Sequence, residues 1–104
     1  MDSSEHFRIR IEIDQELTTF VPEYLENRRL DCLKLEQLLA DGRWAEIQTL
    51  GHQMKGSGGS CGFDEISEIG ESLECSAQLS DADEIRSAVE RLKKYLSRVA
   101  VTYV

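Results

Sequence analysis

No stretch of this 104-residue chain approaches the roughly 18 consecutive apolar residues that span a bilayer, so no membrane segment is expected. Its first residues, Met1-Asp2-Ser3-Ser4-Glu5, are polar and acidic, unlike the basic and then apolar leader of a secreted protein. A cytoplasmic protein is expected. Basic residues are scarce: 12 Lys and Arg stand against 20 Asp and Glu, a net charge of −8. Nucleic acid, whose phosphates attract a basic stripe, is not an expected partner. The charge suits a solvated surface, or basic and neutral protein partners. Cysteine is limited to Cys32, Cys61 and Cys75, with no C-x-x-C spacing, which argues against a zinc site or a disulfide framework. Buried free thiols in a reducing compartment are the expectation. Nucleotide loops are missing too. There is no G-x-G-x-x-G, and Gly51-x4-Gly56 is followed by Ser57 where a phosphate loop needs Lys. A di-iron carboxylate bundle would need paired Glu-x-x-His motifs, and none exists. No metal and no cofactor are expected on this chain.

What is present is helical periodicity in a chain long enough for one domain with a single modest core. Hydrophobic residues make up 40% and charged residues 31%, a balance that fits a folded soluble domain. Asp14 suits the cap of a short turn over 15–20. The single proline, Pro22, suits the first position of a longer helix. Leu25, Cys32, Leu35, Leu38 and Leu39 stripe that helix to about Ala40, and Asp41-Gly42 ends it, Gly42 being able to take the left-handed conformation. A second helix begins near Arg43 or Trp44, with Ile47, Leu50, Met54 and Cys61 on its buried face and a break at Gly62-Phe63. Asp64 is the expected N-cap of a third helix carrying Ile66, Ile69, Gly70, Leu73 and Ala77. Ser80-Asp81-Ala82-Asp83 fits the Ser-x-x-acid start of a fourth, striped by Ile85, Val89, Leu92, Leu96, Val99 and Tyr103. Lys93, Lys94 and Arg98 sit in its later turns, where the helix dipole favours cations.

Four amphipathic helices with short connections predict an all-α, antiparallel up-down-up-down four-helix bundle over residues 14–104. Residues 1–13 differ. Phe7, Ile9, Ile11 and Ile13 alternate with His6, Arg8, Arg10 and Glu12, the period of a strand. With no sheet for a lone strand to join, the expectation is an extended arm lying on the bundle of a monomer. Pairing with a second copy is the alternative.

The second helix carries the pattern that points to chemistry. At about 100° per residue, His52, Lys55, Gly56 and Gly59 fall on one stripe at the i, i+3, i+4, i+7 spacing. Four interior glycines, Gly51, Gly56, Gly58 and Gly59, each cost about 0.5–1 kcal/mol relative to Ala. Their sum, roughly 2–4 kcal/mol, is large beside the 5–15 kcal/mol typical of a small domain. Gly51 and Gly58 lie toward the buried face, where close helix contact would account for them. Gly56 and Gly59 share the hydrophilic stripe, where close approach by another macromolecule is the better account; a poorly formed glycine-rich loop is the alternative. An imidazole is largely neutral and nucleophilic near pH 7 at its reference pKa of about 6.5. His6 has no such cation-and-glycine context and is expected to be without function.

These residues resemble the histidine phosphotransfer (HPt) domain family. Its motif, H-x-x-K-G-x-x-x-x-x-G, is matched by His52-Gln53-Met54-Lys55-Gly56-Ser57-Gly58-Gly59-Ser60-Cys61-Gly62. The likeness extends over roughly residues 15–100, through Phe20-Val21-Pro22-x-Tyr24-Leu25 and Phe63-x-x-Ile66-x-x-Ile69-x-x-x-Leu73-Glu74. The strand-like start departs from the family's usual helical one. The resemblance implies a phosphocarrier without an ATP site: His52 accepts a phosphoryl group through Nε2 from a receiver-domain phosphoaspartate and passes it to another receiver. It implies charge neutralisation by Lys55, a receiver-docking face at Gly56 and Gly59, and a structural role for Gly62. Receiver domains of response regulators and of a hybrid sensor histidine kinase are the implied partners, with the magnesium ion on the receiver. A stand-alone carrier is expected; the competing reading is a phosphate-free helical adapter.

Overall fold

The computed structural model describes residues 7–104; His6 lies outside the described residues. A strand β1, Ile9–Ile13, leads through a 3-10 turn, Gln15–Leu17, into four helices. These are α1, Phe20–Ala40; α2, Trp44–Ser60; α3, Asp64–Gln78; and α4, Ala82–Arg98. A second strand, β2, Val99–Tyr103, ends the fold. The helices form the expected four-helix bundle, α2 lying closest to α3 and α1 closing the ring against α4. Its interior is built from Leu35, Ile47, Met54, Phe63, Ile66, Ile69, Leu73, Ile85 and Leu92, all buried. Tyr24 stacks between Phe20 and Phe63, with ring centroids 5.9 and 5.8 Å away, and its hydroxyl shares a 2.8 Å hydrogen bond with Ser57 Oγ.

The helix ends follow local chemistry, with several corrections. Asp14 caps the 3-10 turn, accepting from Glu16 N at 2.8 Å. Pro22 is the third rather than the first residue of α1, still in the turn whose N–H groups have no intrahelical partner. Gly42 has φ +65°, the left-handed stop expected of it. Asp64 is not a cap: α3 starts one residue earlier in its capping sense, at Phe63, which has no side-chain cap bond. Burying the Phe63 ring completely turns the chain there and leaves Asp64 in the first turn, where its charge suits the dipole. Ser80 does not cap α4 either. It closes α3 with φ 52°, and Asp81 takes the capping role, accepting from Glu84 N at 3.2 Å. Lys93 does more than sit near a helix end; it bonds Glu36 of α1 at 2.5 Å.

The largest correction concerns α4, which stops at Arg98 instead of running on through Val99 and Tyr103. Those two residues are four apart, a separation that satisfies both a helix face and a strand face. Val99, Val101 and Thr102 are β-branched and favour a strand, and β1 offers the ladder. The two strands pair in parallel, Ile9 with Val99 through Ile13 with Tyr103, with the whole bundle as their crossover. The arm is extended and packs inward as expected, Ile13 being buried, but it is not a lone strand. Among the cysteines, Cys32 and Cys61 are buried and Cys75 is exposed, opposite the Leu73 face of α3. Burial pushes the Cys32 thiol up to about 11, so it is inert at neutral pH.

The contact between α2 and α3 is made by glycine. A methyl group placed on Gly51 would lie 2.7 Å from Glu74 N, one on Gly58 2.6 Å from Ser67 N, and one on Gly70 2.4 Å from Lys55 N. Each neighbour is backbone and cannot rotate away. The three contacts step along one antiparallel register, so the expected close approach is real and needs a third glycine from α3. Gly62 has φ +90°, and a methyl group there would meet Ile13 Cδ1 at 2.7 Å, which ties the α2–α3 turn to the arm. Gly70→Ala is expected to cost about 1–3 kcal/mol through overpacking, lowering the thermal midpoint by roughly 5–20 °C. Gly56→Ala, with nothing within 4 Å of the added methyl group, is expected to be neutral or stabilising by up to about 1 kcal/mol. Equal losses in both variants, read by thermal denaturation, would remove the distinction between the inward and outward glycines.

Candidate functional site

α2 presents two faces because its glycines are divided between them. Gly51 and Gly58 face α3. His52, Lys55, Gly56 and Gly59 all lie on the exposed side, which brings the expected stripe together on one helix. Beyond Gly56 there is open space, and a methyl group on Gly59 would meet only Ser67 Oγ at 3.8 Å. The His52 side chain is 72% exposed. Gly62 lies at the turn beyond α2, away from this stripe, and serves the fold.

One residue of the site carried no assigned role in the sequence reading. Gly51 brings the α3 backbone at Glu74 against α2, and from there the Glu74 carboxylate reaches the adjacent His52. Its Oε2 lies 2.9 Å from His52 Nδ1. Its Oε1 lies 3.9 Å from Lys55 Nζ, and Glu71 Oε1 lies at the same distance from that nitrogen. Glu74 is 19% exposed, held in place where the two helices meet. Ser67 adds a further tie across the helices, donating to the Lys55 carbonyl at 2.6 Å. The sequence signal for Glu74 was indirect. It lies 22 residues from His52, so no local spacing rule joins them; only an antiparallel register set on the three glycines does.

The geometry has a chemical consequence. A carboxylate only accepts hydrogen bonds, so the neutral imidazole carries its proton on Nδ1 and leaves the Nε2 lone pair free. The ring is oriented at one nitrogen and presented at the other, as in the arrangement that fixes the tautomer of metal-bound and catalytic histidines. Lys55 stands 45% exposed at ion-pair distances too long for a hydrogen bond, so its ammonium is held beside the ring without being consumed there. A groove of about 550 Å³ opens elsewhere, lined by Ile9, Glu65, Arg91, Lys94 and Tyr95 among others. The imidazole stands instead on an open helix face, suited to a partner as large as another domain. Among the described residues, no group of three or more His, Cys, Asp or Glu is placed to hold a metal ion, and no helix is long and apolar enough to cross a membrane.

The model of the Hpt domain family matches residues 15–102. The chain therefore belongs to the Hpt domain family, the phosphocarrier modules of histidine phosphorelays. No curated protein and no solved structure shows significant similarity to it.

Nitrogen-15 spectra of neutral His52 are expected to show the Nδ1–H tautomer. In Glu74→Ala the Nε2–H form should gain, with the thermal midpoint within about 8 °C of the parent, since a contact made on a ring open to solvent contributes only about 0–1 kcal/mol. An unchanged tautomer ratio would mean that Glu74 does not orient the ring.

Proposed function

We propose that this protein is a phosphorelay carrier that takes a phosphoryl group on His52 Nε2 from the phosphoaspartate of a receiver domain and delivers it to the aspartate of another. The single observation that carries this reading is the 2.9 Å contact of His52 Nδ1 with Glu74 on a ring otherwise open to solvent. It leaves one nitrogen nucleophilic and pointed at whatever docks. In the forward step the Nε2 lone pair forms the N–P bond in line as the P–O bond to aspartate breaks, and the electron pair leaves with the aspartate carboxylate. The return step reverses this on the second receiver.

Phosphoryl transfer calls for positioning and charge neutralisation more than for covalent chemistry by the protein. Lys55 supplies a cation next to the phosphorus, and Glu74 holds the ring so that little rotation is lost on docking. Gly56 and Gly59 leave the face bare, so the receiver can bring its aspartate within reach of the imidazole. The magnesium ion belongs to the receiver. The partners are receiver domains of response regulators and of a hybrid sensor kinase, met in the cytoplasm, and the chain itself carries phosphate without using ATP.

Incubation with a phosphorylated receiver domain, followed by intact mass, is expected to add one acid-labile phosphoryl group that His52→Gln does not acquire. Lys55→Ala should slow transfer about tenfold, a loss of about 1.4 kcal/mol of transition-state stabilisation, and an unchanged rate would make Lys55 a bystander. Gly59→Leu should keep the fold and lose transfer by obstructing the receiver, so normal transfer in that variant would defeat the docking face. A folded bundle that gains no phosphate across a panel of receivers would leave the phosphate-free adapter as the reading.

A further inference from the structure

The strand pair β1–β2 is a sheet of two five-residue strands, and an isolated pair of this kind is marginal in water. The strands lie closer to one another than to any helix; the sheet meets the bundle through its inward side chains, and among the described residues no further strand pairs with either edge. In a parallel ladder, residues of one strand alternate between bonding to their neighbour and facing away from it. Ile13 accepts from Val104 N and Gln15 N donates to Val104 O. Ile9, Ile11 and Ile13 therefore turn their backbone groups toward β2, while Arg10 and Glu12 turn theirs to the open edge. Both side chains are exposed, as are those of Arg8 and Asp14, and among the described residues none of the four takes part in an ion pair.

We propose that the open edge of β1 binds β1 of a second copy of this chain, antiparallel and two-fold symmetric about Ile11. The charge pattern selects that partner and that register. About Ile11, the sequence Arg8-Ile9-Arg10-Ile11-Glu12-Ile13-Asp14 is antisymmetric in charge. Arg10 of one copy stands opposite Glu12 of the other, Arg8 stands opposite Asp14, and symmetry repeats both pairs. Opposite charges directly across an antiparallel pair are stabilising, and like charges are destabilising. Every other centre within the strand fails this condition. Centring on Ile9 sets Arg8 against Arg10, centring on Ile13 sets Glu12 against Asp14, and centring on Arg10 or Glu12 sets that residue against itself.

The backbone agrees with the side chains. Arg10 and Glu12, whose amides and carbonyls face the edge, become the hydrogen-bonded pair. Ile11 meets its own copy at the closer non-hydrogen-bonded position, where apolar side chains touch best. The result is one continuous sheet in the order β2, β1, β1, β2. Charges that merely guard an edge act by repulsion between copies; here the sign reverses at the centre of the strand, which makes the edge self-complementary. β2, with no charged residue in Val99–Tyr103, has nothing to set a register on its own edge. The arm meets the bundle at Gly62, about 15 Å along α2 from His52 at 1.5 Å per residue, so the pairing leaves the site face open. It replaces the monomer expected from the sequence and is independent of the phosphotransfer reading.

Sedimentation equilibrium of the full chain, from about 5 to 500 µM in low salt, is expected to show a weak dimer with a dissociation constant on the order of 10–100 µM, as befits a short interface. Arg10→Glu or Glu12→Arg alone should weaken it at least about tenfold, because each creates two like-charge pairs by symmetry. The double swap R10E/E12R should return it to within about threefold of the parent. Hydrogen exchange on the unmodified chain provides a readout that needs no variant. The Arg10 and Glu12 amides should slow as concentration rises, while the Ile11 amide, already bonded to β2, should not change. A monomer at about 500 µM, single swaps that dimerise as tightly as the parent, or a dimer whose Arg10 and Glu12 amides exchange as fast as in the monomer would each overturn the proposal.

Discussion

Backbone against backbone, with no side chain between, is how α2 meets α3, and the candidate site depends on that contact. Gly51, Gly58 and Gly70 bring each helix within the space a methyl group would need. Helices usually keep 8–10 Å between axes because side chains fill the gap; removing them at three points in one register draws the axes in and locks the helices against sliding. The same approach places Glu74 beside Gly51 and so next to His52, and it lets Ser67 reach the Lys55 carbonyl. A wider crossing would leave the imidazole an unoriented surface ring.

α2 is thus a helix of two glycine pairs with opposite functions. The inward pair lets its own chain come close. The outward pair, Gly56 and Gly59, meets no backbone and little else, so it contributes nothing to the fold that Ala would not. Residues that cost a helix stability without serving its fold are those for which an external reason is needed. The partner docking proposed for the stripe that also carries His52 and Lys55 would supply one. The acidic background of the chain, −8 overall, concentrates attention on Lys55, since Glu71 and Glu74 hold its ammonium only at 3.9 Å.

The sheet follows a different logic from the bundle. It joins the two ends of the fold in parallel, and its strands are anchored through Ile13 at Gly62 rather than through a core of their own. Its outer surface is charged in an ordered way that the bundle does not require, since Arg8, Arg10, Glu12 and Asp14 are all exposed. The chain therefore carries two surfaces with separate causes: a bare helix face at the middle of α2, and a self-complementary strand edge at the far end.

Periodicity and turn residues in the sequence determined the helices and the breaks between them, because a stripe of Leu and Ile at helical spacing and a glycine at a positive φ are local properties. They also determined the stripe of His52, Lys55, Gly56 and Gly59, which needs only the pitch of one helix. What lay beyond local spacing was decided by tertiary structure. Val99 and Tyr103 fit a helix or a strand equally well, and only β1, nearly the whole chain away, selected the strand. Phe63 took the start of α3 from Asp64 because its ring had to be buried, and Ser80 yielded its capping role to Asp81 because the end of α3 needed it. Glu74 became the partner of His52 only when three glycines on two helices aligned, since no pattern within one helix reports which residue of the next will face it.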